Sequence, residues 1–190
     1  MKKFTAKRIA FCAMTIALAF VTSFIKVLDL PMGGSATLFS MFFMSLAGYL
    51  FGPVPGLISA LAYGTLQFVI EPYILSIPQV ICDYFLAFGA LGLSGFFWKI
   101  KKNVKFGPFS VTNLEIGYLA AVLGRYLFSF LSGWIFFGTY APDSFSSAAV
   151  YSLAYNGAYM GAEAAITLVI LIFIPPVKKA LEYVKKIAVS

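Results

Sequence analysis

Long apolar segments recur along nearly the whole chain, separated by short stretches that contain charged residues, proline or glycine. A helix needs about 20 mostly apolar residues to cross the hydrocarbon core of a bilayer. The charges and the Pro/Gly positions divide the apolar sequence into predicted membrane spans. These spans are residues 8–27, 36–52, 54–71, 77–98, 115–138 and 149–174. The pattern therefore predicts an all-α, multi-pass integral membrane protein with six transmembrane helices.

The spans leave no room for a separate soluble region, so residues 1–190 are predicted to form a single membrane-embedded domain. Only Gly52-Pro-Val-Pro-Gly56 separates the short second and third spans, which predicts a helical hairpin with a tight turn. Composition agrees, because 61% of the residues are hydrophobic and only 11% are charged, against roughly a quarter charged in a soluble domain. The first apolar segment follows basic residues as a signal peptide would, but without a convincing cleavage site it is predicted to remain as the first span.

Lysine and arginine lie on alternate connections, and this alternation predicts the orientation. Basic residues cluster near the N-terminus, in residues 99–105 and in the C-terminal tail. Cytoplasmic connections carry an excess of these residues, so an even number of spans puts both termini in the cytoplasm. The opposite connections carry Asp29, Glu71 and Asp143. The net charge of +7 arises from clusters beside the lipid bilayer, so no nucleic-acid partner is expected.

Three charged residues, Asp83, Arg125 and Glu163, fall inside the predicted spans. A charge at membrane depth is costly and is a functional candidate by default. Counted from the extracellular helix ends, Arg125 and Glu163 both lie about 20 Å deep. We predict a buried structural ion pair that holds the fifth and sixth spans in register. A role in substrate binding is the alternative.

Asp83 lies about 9 Å below the extracellular end of the fourth span, and Asn156 lies about 10 Å below that of the sixth. No cation shares this depth, whereas aromatic residues surround it: Tyr73, Tyr84, Phe137, Tyr151, Tyr155 and Tyr159. An unpaired carboxylate needs a proton or a cationic ligand, and aromatic faces attract cations. This predicts an outward-facing pocket for a small, aromatic, positively charged molecule. The alternative is an interfacial aromatic belt with Asp83 protonated or capping a helix.

Small residues repeat along two spans, at Ala6, Ala10, Ala13 and Ala17 on the first and at Gly52, Gly56, Ala60 and Gly64 on the third. Such repeats let helix backbones approach closely in lipid. They predict either packing within this bundle or a docking surface for another membrane subunit.

Several stretches resemble a known family. They are Gly33–Leu38, Tyr73–Tyr84 with Gly89–Gly95, Arg125-Tyr126 with Gly133–Pro142, and Tyr151–Gly157. Together they resemble the thiamine-specific substrate-binding (S) subunits of energy-coupling factor (ECF) transporters over nearly the whole chain. The resemblance implies a six-helix protein of the bacterial plasma membrane that captures thiamine from outside. It also implies two kinds of partner, a membrane coupling subunit and two cytoplasmic ATPases that drive release inside.

The resemblance also implies roles for individual residues. Ala13 and Ala17 on the first span correspond to the family's docking face. The resemblance implies that eight residues at matching family positions bind the substrate. They are Tyr63, Tyr73, Asp83, Tyr84, Ser129, Phe137, Tyr151 and Asn156. Asp83 is expected to complement the charge of thiamine, the aromatic rings to stack on it, and Asn156 with Ser129 to fix its polar edges.

The chain departs from the family at two of these positions and at a third position, residue 38. Ser129 replaces a histidine, Phe137 replaces a tryptophan, and Leu38 stands where some relatives carry an acid. The thiazolium cation is therefore expected to meet one acid, Asp83. Another small aromatic vitamin, such as a vitamin B6 form or a thiamine precursor, stays open as the alternative ligand.

The sequence lacks the features that would indicate an ATPase or an enzyme. No G-x-x-x-x-G-K-[ST] phosphate-binding loop is present, so a transport energy source must come from a partner. The chain contains no histidine, and Cys12 and Cys82 are isolated in apolar segments. We therefore expect no enzyme activity, metal site or cofactor. A stand-alone secondary transporter, which would favour internal repeats, remains a further alternative.

Overall fold

The structure is a computed structural model that describes residues 5–100, 104–106 and 109–190. The helices are α1 (Ala6–Ser23), α2 (Ser40–Phe51), α3 (Pro53–Ile70), α4 (Ile77–Phe97), α5 (Asn113–Phe136), α6 (Ala148–Phe173) and α7 (Pro175–Val189). The strands are β1 (Lys26–Asp29), β2 (Ser35–Thr37), β3 (Val104–Phe106) and β4 (Phe109–Val111). Short 3-10 turns lie at Pro31–Gly33 and Gly138–Tyr140. Parts of the basic clusters at the N-terminus and in 99–105 lie outside the described residues.

The predicted all-α membrane bundle is confirmed, with one shortened span. Within the described residues, five helices are long and apolar enough to cross a membrane: α1, α3, α4, α5 and α6. Helix α2 has 12 residues, about 18 Å, and is shorter than the hydrocarbon core. It starts late because Phe39 adopts a left-handed conformation, with φ of 66°, which does not fit into a right-handed α-helix.

A β-hairpin replaces the predicted ends of the first two spans. Strands β1 and β2 are antiparallel, with Lys26 opposite Thr37 and Asp29 opposite Ser35. The turn between them includes Met32 at φ of 64° and Gly33 at φ of 85°. Both strands are short, so their side chains show no alternation long enough to predict them from the sequence. The hairpin forms one wall of the cavity described below.

Glycines allow α2, α3 and α4 to pack with their backbones close together. A Cβ added at Gly56 would lie 2.8 Å from the Cα of Gly48, and one added at Gly64 would lie 2.0 Å from the carbonyl oxygen of Tyr84. Gly52, at φ of 95°, makes the turn between α2 and α3. The predicted hairpin is therefore present, and these third-span glycines pack within the bundle. In contrast, Ala13 and Ala17 on α1 are exposed.

Helix α4 is irregular where it carries the predicted acid. An α-helical turn at Ile77–Val80 passes into a π-helical segment at Ile81–Ala87, and the helix ends as a 3-10 segment at Ala90–Phe97. A π-helical segment is uncommon and is often found at functional sites. Asp83 and Tyr84 both lie in it.

Helix α7 was not predicted, because the basic residues of the tail were interpreted only as a signal of membrane orientation. It is amphipathic and packs its Lys178 side against the bundle, where Lys178 pairs with Glu115 and donates to the carbonyl oxygen of Ser110. Lys185 lies 3.7 Å from the centre of the Tyr49 ring. Burial lowers the pKa of Lys185 from its ordinary value. Two lysines of the tail therefore stabilise contacts within the protein.

Candidate ligand-binding site

A cavity of about 350 Å³ lies between the β1–β2 hairpin, the α3–α4 loop and the helices α3 to α6. Its size suits a small organic ligand. All eight residues predicted to bind substrate line it, namely Tyr63, Tyr73, Asp83, Tyr84, Ser129, Phe137, Tyr151 and Asn156. The structure thus brings together residues from four helices, α3 to α6, with Tyr73 from the α3–α4 loop and Phe137, which directly follows α5. Their roles in binding remain predictions.

Asp83 faces this cavity from the π-helical segment of α4. Its Oδ2 accepts a hydrogen bond from Nε2 of Gln79 at 2.7 Å. The hydroxyl of Ser132 also lies beside the carboxylate, without meeting hydrogen-bond geometry. No Lys or Arg nitrogen in the described part of the chain lies within 4.0 Å of Asp83. The carboxylate is therefore oriented by the protein but not neutralised in a direct ion pair.

Tyr84 fixes the loop between α3 and α4 against α4. Its hydroxyl donates to the carbonyl oxygen of Glu71 at 2.9 Å and accepts from the backbone N–H of Tyr73 at 2.8 Å. Its ring packs on Phe68 and Phe88 with centroid distances of 5.1 and 6.3 Å. Tyr84 therefore holds the loop that brings Tyr73 to the cavity.

Two groups of aromatic rings contribute to the cavity wall. The rings of Tyr73 and Phe137 lie 5.6 Å apart at an angle of 31°. On α6, Tyr151 and Tyr159 flank Tyr155, with centroid distances of 5.7 and 5.8 Å. The Tyr155 hydroxyl accepts from the N–H of Gly34 at 2.9 Å and also donates to the Pro31 carbonyl, so it ties the hairpin to α6. Rings so placed can stack on a planar ligand or attract a cation.

Asn156 links α6 to α5 at the side of the cavity. Its Nδ2 donates to the carbonyl oxygens of Ser152 at 2.9 Å and Ser129 at 3.3 Å. Its Oδ1 accepts from the Tyr159 hydroxyl at 2.8 Å. These bonds fix the orientation of the amide where it borders the cavity.

The predicted ion pair between Arg125 and Glu163 is wrong. Ion pairs within 4.0 Å among the described residues join other side chains, and none joins these two. The Glu163 carboxylate instead accepts from the backbone N–H groups of Thr37 and Met41, at 3.2 and 2.8 Å. Arg125 lines the cavity with its guanidinium 4.3 Å from the centre of the Phe88 ring. The two charged groups therefore have different direct partners.

The expectation that Asp83 would be the one acid at the site also needs correction. Glu71 lines the cavity too, and its Oε2 lies 3.7 Å from Nζ of Lys26. The same ammonium lies 3.8 Å from Asp29. Glu71 is thus a second acid with its own cation, whereas Asp83 has a neutral amide partner.

Several cavity residues were not predicted from the sequence. Gln79 could have been predicted, because it is a polar residue in an apolar segment four residues before Asp83, and side chains at that spacing share a helix face. Residues of the hairpin, such as Met32 and Thr37, carried none, since their segment was predicted as helix ends and a connection. Within the described residues, no group of three or more His, Cys, Asp or Glu side chains could hold a metal ion.

Known proteins are similar to this chain over most of its length. The family described as "Thiamine transporter protein (Thia_YuaJ)" matches residues 9–183. The chain belongs to this family. The thiamine transporter ThiT of Bacillus subtilis (strain 168) is 32% identical over 138 residues, which cover 70% of this chain and 70% of that protein. A solved structure of ThiT from Listeria monocytogenes has a TM-score of 0.67 at 25% identity, covering 86% of this chain and 92% of that one.

Membership of the thiamine transporter family confirms the resemblance seen in the sequence. Because the matched segment 9–183 includes every residue that lines the cavity, the family match extends over the whole candidate site. The chain is thus a multi-pass membrane protein of a transport family.

Proposed function

We propose that this chain is a thiamine-binding S component of an ECF-type transporter, and that thiamine binds in the cavity that contains Asp83. The observation that carries the proposal is a carboxyl group without a direct ion-pair partner among the described residues, facing an aromatic-lined cavity of about 350 Å³ in a member of a thiamine transporter family. Such a cavity combines apolar enclosure with a few placed polar groups.

The chemistry of thiamine fits this arrangement. Its thiazolium ring is a cation, which Asp83 and the neighbouring rings can stabilise together. Its aminopyrimidine ring is planar and can stack on the pair formed by Tyr73 and Phe137, whose rings lie 5.6 Å apart. The Arg125 guanidinium makes no direct ion pair in the described residues. It is available to donate hydrogen bonds to an acceptor on the ligand.

Delivery across the membrane would require partner subunits. The distribution of lysine and arginine supports cytoplasmic termini in a bacterial plasma membrane, with the cavity open to the outside. Ala13 and Ala17 lie on an exposed face of α1, where a membrane coupling subunit could approach closely. Two cytoplasmic ATPases would supply the energy for release inside.

Titration of the purified protein with thiamine tests ligand and site together. A hydrogen bond to a charged group is worth about 1.5–3 kcal/mol, so Asp83→Asn should weaken thiamine binding by tens-fold or more while leaving the protein monodisperse. Unchanged affinity would remove Asp83 from the site.

The vitamin itself is tested by direct comparison. Pyridoxine and thiamine precursors are titrated in parallel, because Ser129 and Phe137 replace two ring-bearing residues expected from the family. Tighter binding of one of these compounds than of thiamine would change the assigned ligand. Uptake into vesicles that contain this chain without ATPases would instead favour a stand-alone transporter.

A further inference from the structure

Gln79 is a buried amide between Asp83 and the α3–α4 loop, residues 71–75. The residue is 1% exposed. Nε2 donates to Asp83 Oδ2 at 2.7 Å and to the carbonyl oxygen of Tyr73 at 3.1 Å, while Oε1 accepts from the N–H of Leu75 at 3.0 Å. Both amide hydrogens and the amide oxygen are therefore used. The opposite amide orientation would place an oxygen against two acceptors, so these partners fix the orientation.

The local backbone places Gln79 for this role. Ser76 caps the start of α4, and its hydroxyl oxygen accepts from the backbone N–H of Gln79 at 3.3 Å. Gln79 and Asp83 are four residues apart across the junction between the α-helical turn and the π-helical segment. A buried carboxylate without an ion pair needs hydrogen-bond donors, and Gln79 supplies one.

One carboxylate oxygen of Asp83 has no well-formed hydrogen bond from the described residues. Gln79 occupies Oδ2, and the Ser132 hydroxyl lies beside the carboxylate without donating a well-aligned hydrogen bond to Oδ1. Gln79 borders the cavity as well, but its polar atoms are committed to Asp83 and the loop. It can therefore act on a ligand through these partners and not through a free donor of its own.

We propose that Gln79 is a positioning residue of the ligand site. It orients Asp83 so that Oδ1 is left for the cationic ligand, and it ties that carboxylate to the loop that carries Tyr73 and Glu71. The inference rests on the proposed function, because it takes Asp83 as the residue that meets thiamine. It adds a residue that was not predicted from the sequence.

A double-mutant cycle tests the inference. Thiamine affinity is measured for the full chain in detergent with Gln79→Met, Asp83→Asn and both changes, methionine being chosen because it keeps a similar volume. Gln79→Met alone should weaken binding about ten-fold, the effect of one hydrogen bond to a charged group. With Asp83→Asn already present, the further loss should be less than about three-fold, because Gln79 acts through the carboxylate.

Hydrogen exchange of the ligand-free protein gives a second readout. Gln79→Met should speed exchange of the Leu75 amide, which loses its acceptor. Thr65→Ala is the matched control, because Thr65 is an exposed residue of α3 whose hydroxyl donates to the carbonyl oxygen of Leu61, away from the cavity lining. It should keep the exchange rate of the Leu75 amide and should keep thiamine affinity within about two-fold of the wild type.

Two results would overturn the positioning role. One is a Gln79→Met affinity within two-fold of the wild type while Asp83→Asn is impaired; the other is a full ten-fold loss that persists in the Asp83→Asn background. If Asp83→Asn itself binds thiamine normally, the proposed site fails. Leu75 exchange would then still report whether Gln79 holds the loop.

Discussion

Glu163 joins α6 to the start of α2, and replacing it with alanine is expected to destabilise the bundle strongly. Its side chain is 3% exposed. The carboxylate accepts hydrogen bonds from Met41 N at 2.8 Å, Thr37 N at 3.2 Å and Thr37 Oγ1 at 2.8 Å. A hydrogen bond to a charged group is worth about 1.5–3 kcal/mol, and a buried N–H left unpaired costs about 1–3 kcal/mol. Because these contributions overlap, we expect a loss of about 3–5 kcal/mol.

Size-exclusion chromatography of detergent-purified protein after heating measures this loss. At about 2–4 °C per kcal/mol for a chain of this size, Glu163→Ala should lower the midpoint temperature by roughly 6–20 °C. Glu182→Ala, at an exposed position of α7, is the matched control and should stay within about 2 °C. A Glu163→Ala midpoint equally close to the wild type would refute the reasoning.

A charge swap separates this role from the ion pair predicted from the sequence. Arginine at residue 163 cannot accept hydrogen bonds from the N–H groups of Thr37 and Met41. Adding Arg125→Glu should therefore not rescue Glu163→Arg. Recovery of the midpoint temperature in the double variant would show that a direct Arg125–Glu163 attraction contributes after all.

Three further predictions concern other contacts. They are tested with the same heating assay, by the yield of folded protein or by thiamine affinity. Lys178→Gln leaves the buried Glu115 without its cation and should cost about 3–5 kcal/mol, part of which Glu115→Gln should restore. Gly64→Ala would place a Cβ 2.0 Å from a backbone oxygen and should reduce the yield of folded protein, whereas Gly161→Ala, with nothing within 4 Å, should not. Tyr84→Phe removes the hydroxyl that pins the α3–α4 loop and should weaken thiamine binding about five-fold.

Asp83 and Asn156 could be predicted to meet at one level because the helical rise is constant. Tyr63 and Ser129 were implied only by the resemblance to the family. Depth counting placed Asp83 and Asn156 at a similar level, and the structure finds both on the cavity wall. The aromatic residues were predicted by type, since an unpaired acid among many tyrosines suggests a site for a cation. Neither argument required knowledge of how the helices pack.

The hairpin and α2 could not be predicted in the same way. Strands of four and three residues are too short to show an alternating pattern, and an apolar segment reads as helix whether or not its first residues are helical. The late start of α2 depends on the left-handed backbone of Phe39, with φ of 66°. Glu163 then caps this start from another helix, a contact that only tertiary packing creates.

Arg125 shows why depth alone could not assign a role to a charged residue in a span. Depth fixes the position of a residue along its helix, but the face of the helix decides which neighbour it meets, and that face turns by about 100° per residue. Glu163 points to the N-terminal N–H groups of α2, while Arg125 lies over Phe88 in the cavity wall. The partner of such a charge follows from sequence only when the packing of both helices is known. Here that packing depends on a shortened α2 and a π-helical segment that no apolar pattern encodes.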